Sequence, residues 1–195
     1  MATRLFDAIS QKGNHEIGSL NTKWTVHMTN GAEAKEDIEN YTLVETFYEN
    51  GILKCKYLTD VEKKGYLVTT VEEDQLMEGE TYVDFYNAKG EIVRLTDVKA
   101  QPNTRFETSA FTKNNGVTKI QKGYVAHFDP NTRKYIVSDP EYPHASYANA
   151  VNKFEVVDED SDFGYAFDKP TIRLMSIEDV SIDGVQETES TNSLD

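Results

Sequence analysis

The chain has one cysteine in 195 residues, Cys55. An intrachain disulfide and any cysteine-cluster zinc site are therefore excluded. No apolar run approaches the length of a membrane-spanning helix. The opening "MATRLFDAIS" mixes Arg4 with Asp7 and no apolar stretch follows, so a signal peptide is not expected. Positive charge is scarce: 20 Lys and Arg stand against 34 Asp and Glu, a formal net charge of -14. Such a surface repels a phosphate backbone, and no nucleic-acid partner is expected. Phosphate loops of the GxxxxGK[ST] or GxGxxG type do not occur, nor does a GxSxG elbow.

The four histidines, His15, His27, His127 and His144, form no i, i+4 pair and no HExxH motif. A zinc site has no support from that spacing. Asp158, Asp160, Asp162 and Gly164 have the look of a calcium loop, but the sixth position from the first Asp is Phe163 and the twelfth is Lys169. A solvated acidic turn is the expected reading, and no metal or other cofactor is predicted. Cys55 lies between Lys54 and Lys56, which would activate an exposed thiol. The alternation of that segment places it inside instead. Neither a nucleophile with its base nor an informative carboxylate pair can be picked out, so an enzyme is not expected.

What the chain does contain is strand-forming sequence. From Tyr41 onward, "YTLVETFY" and "ILKCKYL" flank Asn50-Gly51, a strong hairpin signal. Leu53, Cys55 and Tyr57 alternate with Lys54 and Lys56, one face dry and one wet. "YLVTTV" reads as a further strand. "TYVDFY" and "EIVRL" flank Asn87 to Gly90 as a second hairpin, with Val83 and Phe85 facing Val93 and Leu95. "GYVAHFDPNTRKYIVSD" reads as a third, turning at Asp129-Pro130, with Tyr124, Phe128, Tyr135 and Val137 packing and His127 facing outward as a surface histidine. "KFEVV" and "TIRLMS" are closing strands. "NGAEAKEDIEN", 30 to 40, reads as a short helix or an acidic loop, and "PHASYANAV" as one or two helical turns. Tyr142, Tyr147 and Tyr165 fall in loops, where aromatic rings can serve as sugar platforms.

Strands at this spacing with Gly, Asn and Asp turns predict an all-β fold of antiparallel hairpins forming a small barrel or sandwich. The expected organisation is an N-terminal arm over 1–29, a β subdomain over 30–113, a second β subdomain or continuation over 114–177, and an acidic disordered tail over 178–195. Residues 178 to 195 hold six acids and no base. The arm either tucks against its own domain as a strand or helix, or docks on a neighbour.

The run "KKGYLVTTVEEDQLMEGE", "TYVDFYNAKGEIVRL", "RFETSAF" and "KGYVAHFDPNTRKYIV", about residues 64–138, resembles tailed-phage head-decoration and auxiliary virion proteins. That resemblance implies a non-enzymatic virion structural protein, made in the host cytoplasm, that binds the major capsid protein and decorates or stabilises the capsid. It also implies a homo-oligomer or multi-copy arrangement on the particle, with no membrane. An arm carrying Arg4, Leu5, Phe6 and Ile9 could supply the capsid contacts. A tail or head–tail connector component, and a carbohydrate-binding or adhesion module, are the alternatives.

Overall fold

A computed structural model describes residues 18–21, 28, 30–71, 85–100, 102–161 and 170–177. Among these the protein is all-β, as its alternation predicts. The strands are β1 (Gly18–Asn21), β2 (Ala32–Ala34), β3 (Leu43–Glu49), β4 (Ile52–Tyr57), β5 (Tyr66–Val68), β6 (Ile92–Val93), β7 (Leu95–Thr96), β8 (Arg105–Thr108), β9 (Phe111–Lys113), β10 (Val125–Asp129), β11 (Lys134–Ser138), β12 (Lys153–Ser161) and β13 (Thr171–Ser176). They form a six-stranded sheet, β6-β2-β4-β3-β5-β7, and a seven-stranded sheet, β1-β8-β13-β12-β10-β11-β9. Both are mixed: β2–β4 and β9–β11 are parallel and the remaining pairs antiparallel.

The first hairpin forms where Asn50-Gly51 places it. Asn50 has φ 53° and Gly51 φ 79°. Two successive left-handed residues match the right-handed twist of the flanking strands. Cys55 and Tyr57 point into the core, while Lys54 and Lys56 stand outside. The outer face is laced by ion pairs. Lys54 meets Glu33 at 2.9 Å and Glu49 at 3.0 Å, and Lys56 meets Glu45 at 3.1 Å. Phe47 lies beneath Lys35 and Lys56, at 5.1 and 5.6 Å from the ring centre.

The six-stranded sheet curls into a half-barrel. Its two outermost strands, β6 and β7, are consecutive stretches of one segment, separated by Arg94 alone. The chain pairs with β2, passes Arg94, and pairs with β5 on the far side. Among the described residues, the second hairpin expected at 87–90 is therefore absent as a pairing. The turn exists, with Gly90 at φ 89°, but Asn87 bridges to Ile38, Val93 pairs with Ala32, and Leu95 pairs with Val68. Val83 lies outside the described residues. The stretch 30–40 likewise contributes a strand, β2, instead of a helix or loop. Ala32 and Ala34 are small enough to lie buried against β4, and pairing plus burial outweigh the helical preference of Ala, Glu and Lys.

The described chain changes sheets between β1 and β2 and again between β7 and β8. The boundary expected between 113 and 114 lies inside the seven-stranded sheet, between β9 and β10. Residues 18–21 of the expected arm pair with β8 of their own chain. The acidic stretch after Val157 continues β12 as far as Ser161, where Asp158 opposes Arg173 and Ser161 opposes Thr171.

Between the sheets lies one apolar core. Its centre is Tyr135, fully buried, with Phe106, Phe128 and Phe154 at ring-centre distances of 5.5, 5.3 and 5.3 Å. The tilted and edge-on geometry puts ring edges against ring faces, as the aromatic quadrupole favours. The Tyr135 hydroxyl donates to the Tyr41 carbonyl at 3.0 Å, reaching from the seven-stranded sheet into the turn that precedes β3. Two further ties cross between the sheets. Arg133 covers the Tyr57 ring at 3.8 Å and pairs with Glu36 at 3.4 Å. Asn152 accepts from the Gly65 amide at 3.2 Å and donates to the Lys63 carbonyl at 3.0 Å.

Candidate functional site

The hairpin β10–β11 turns on Asp129. Its carboxylate accepts from the Asn131 and Thr132 amides and from the Thr132 hydroxyl, and Arg133 takes φ 60° to bring the chain back. This is ordinary turn chemistry. In β10, Ala126 and Phe128 face the core, so His127 points to the opposite face. That much follows from strand alternation. Its expected exposure does not hold: His127 is fully buried. The segment 139–152 doubles back across the outer face of the sheet and covers it.

This strap contains a single 3-10 turn, Ala145–Tyr147, within the one or two helical turns expected there. His144 caps it, its Nδ1 accepting from the Ser146 amide at 3.3 Å. The Ser146 hydroxyl then stands between two imidazoles, 2.6 Å from His127 Nε2 and 2.8 Å from His144 Nδ1. The two rings are stacked with centres 5.5 Å apart, and Tyr147 meets His127 edge-on at 5.9 Å. Lys153, opposite His127 on β12, lies 5.3 Å from the centre of the Tyr147 ring. The strap is held at its start by His144 N–H donating to Ser138 Oγ at 3.1 Å. At its end, Val151 N–H donates to Val61 O at 2.9 Å and Asn149 donates to Glu62 at 3.0 Å.

Proton counting fixes the arrangement. His144 Nδ1 receives the Ser146 amide, so it carries a lone pair, and the Ser146 hydroxyl donates to it as well. His127 Nε2–H then donates to Ser146 Oγ, leaving His127 Nδ1 a buried lone pair with no partner among the described residues. Burial, and secondarily His144, push the His127 pKa down to about 4, with Asp129 acting weakly the other way. His127 is neutral at physiological pH. A nucleophilic serine needs a base whose far nitrogen is oriented by an acceptor. His127 Nδ1 lacks one, and His144 Nδ1 is shared with a backbone amide. The arrangement works as a clasp that fastens the strap.

Of the other residues singled out in the sequence, Arg4, Leu5, Phe6, Ile9, His15, His27, Asp162, Gly164 and Tyr165 lie outside the described residues. Asp158 and Asp160 belong to β12. Among the described residues, no group of three His, Cys, Asp or Glu side chains is placed to hold a metal ion. Tyr142 is 74% exposed, whereas Tyr147 is engaged with His127. Ser146 and Lys153 carried no recognisable signal, because their partner lies on a strand distant in sequence.

Cys55 is buried, and burial followed by the nearby Glu36 pushes its thiol up to about 12. The folded protein is expected to resist a disulfide-exchange reagent at neutral pH and to react within seconds once denatured. Equal reaction rates in the two states would contradict the placement.

No solved structure matches the chain. It is 42% identical over 180 residues to the SPbeta prophage-derived uncharacterized protein YonC of Bacillus subtilis (strain 168), spanning 91% of this chain and 99% of that protein. Residues 11–177 match the family described as YonC prophage protein, which leaves 1–10 and 178–195 outside. The phage connection read from residues 64–138 holds at this level: the chain belongs to the YonC prophage protein family.

Proposed function

We propose that the protein is a non-enzymatic structural component of a phage particle that binds the capsid surface in many copies and stabilises it. Family membership supplies the phage setting. The observation that carries the rest is the position of β1. Among the described residues it is the outermost strand of the seven-stranded sheet, paired with β8. The segment that precedes it, with Arg4, Leu5, Phe6 and Ile9, is therefore rooted at the rim of a rigid β body. In this reading those four residues are the anchors on the major capsid protein, although they precede the family match, which begins at residue 11. The acidic surface, net -14 overall, keeps crowded copies from associating nonspecifically.

The test is mass spectrometry of purified particles after prophage induction, with the chain intact or lacking residues 2–17. The deletion spares β1 and hence the sheet. The intact protein is expected at high copy number and the truncated one is expected to be lost from particles while remaining folded. Absence of the intact protein from particles would refute the reading. Full loading of the truncated protein would refute the anchor. A copy number matching a connector or tail would move the protein there. A second reading, carbohydrate binding, is favoured by the exposed ring of Tyr142, and a glycan array with Tyr142→Ala as control separates the two.

A further inference from the structure

We infer that the strap 139–152 is an acid-released cover, fastened by the His127–Ser146–His144 clasp, which uncovers the outer face of β10 and β11 when the clasp takes up protons. The reasoning rests on how many protons the clasp can hold. In its neutral form one hydroxyl serves both rings, and each ring has one protonated nitrogen. A first added proton can be absorbed. His144 Nδ1–H would donate to Ser146 Oγ, the hydroxyl would turn to His127 Nε2, and His127 would shift its own proton to Nδ1. That leaves the Ser146 amide without its His144 Nδ1 acceptor and the His127 Nδ1–H buried with no acceptor among the described residues. A second proton cannot be absorbed. Both rings become cations stacked 5.5 Å apart around one oxygen, with His127 fully out of water.

The surroundings do not rescue such a charge. From β12, Lys153 opposes His127 directly and adds positive charge, while Glu155 stands opposite Val125. From β11, His127 faces Ile136, and Lys134 lies nearer the turn. From the strap come His144 and Tyr147, with Asp139 engaged by the Glu141 amide in the strap's first turn. On its own strand, Asp129 favours the charge but is committed to the turn. Release is cheaper than charging in place. The strap has one short 3-10 turn and no strand of its own, so opening it breaks few backbone bonds. The sign follows from the depressed folded value. The closed state is favoured fully above pH 6.5, and that advantage is lost as the pH falls from 6.5 through about 4.

Hydrogen exchange of the full chain across that window, corrected for intrinsic rates, tests this. The Ser146, Tyr147 and Val151 amides are expected to exchange about tenfold faster per pH unit on the acid side, while β12–β13 amides keep their protection. His127→Gln, which can still donate to Ser146, should flatten that slope. His144→Gln should keep the slope over a narrower window, because His144 opposes the charge on His127. A flat wild-type profile would overturn the inference. So would strap and β12–β13 amides moving together, which marks global unfolding. So would an unchanged slope in His127→Gln. If that variant does not fold, loss of the slope in His144→Gln would equally overturn the assignment to His127.

Discussion

Replacing Tyr135 with alanine is expected to cost about 3–5 kcal/mol, the range for deleting a large buried ring. Against a typical stability of about 5–15 kcal/mol this lowers the melting temperature by roughly 6–20 °C. The size follows from position. Tyr135 contacts Phe106, Phe128 and Phe154 at once, so the cavity left behind is walled by rings held on three other strands. Those strands, β8, β10 and β12, are fixed by their ladders and cannot close in. Tyr135→Phe separates the hydroxyl from the ring. It keeps the packing but removes the bond to the Tyr41 carbonyl, and is expected to cost about 1–2 kcal/mol. Tyr41 has φ 59°, an uncommon conformation for an aromatic residue, so that bond also braces a strained turn. Denaturant melts of the two variants check both numbers. An alanine variant within about 1 kcal/mol of the parent would show that this ring is not the centre of the core.

Gly31→Ala is expected to cost about 2–5 kcal/mol, from two separable sources. Gly31 has φ 61°, and a Cβ there would stand 2.3 Å from the Val93 carbonyl oxygen. Val93 is backbone of β6, paired with β2, and has nowhere to go without opening the curl of the half-barrel. Gly51→Ala provides the internal reference. Gly51 has φ 79° with nothing within 4 Å of a Cβ, so its substitution carries only the left-handed penalty, about 1–2 kcal/mol. The difference between the two variants isolates the steric contribution. Equal losses at Gly31 and Gly51 would mean that the close approach to Val93 carries no energy.

Much of the β content was legible because it is locally encoded. Asn50-Gly51 names its turn type, the alternation Leu53-Lys54-Cys55-Lys56-Tyr57 names its buried face, and Asp129-Pro130 names a second turn. What was not legible is long-range pairing. Asn87 to Gly90 has good turn chemistry, yet Asn87 bridges to Ile38 and the stretch after the turn pairs with β2 and then β5, partners set by the curvature of the whole sheet. Ala32 to Ala34 becomes a strand because it pairs alongside β4 with two small side chains buried in the core, which no helix propensity scale records. His127 shows the same limit at the candidate site. Alternation gave its direction correctly. Its burial depends on a strap that starts 12 residues later and is fastened to the other sheet at Val61, Glu62 and Gly65. The clasp joins residues 19 apart through a hydroxyl, a relation with no sequence period.

The curl of the six-stranded sheet through Arg94 bears on how copies of this protein can meet. An open sheet margin offers unpaired amides and carbonyls to any passing strand. Here the margins are two residues long each, and the Leu95 carbonyl already accepts the Met28 amide. That half of the molecule is poorly suited to growing a ladder with a neighbour. The seven-stranded sheet is different: β1 offers four residues at one margin and β9 three at the other. Among the described residues, strand addition between subunits, in whatever assembly the protein joins, is thereby directed to two places, and the β1 margin is the one from which the N-terminal segment departs.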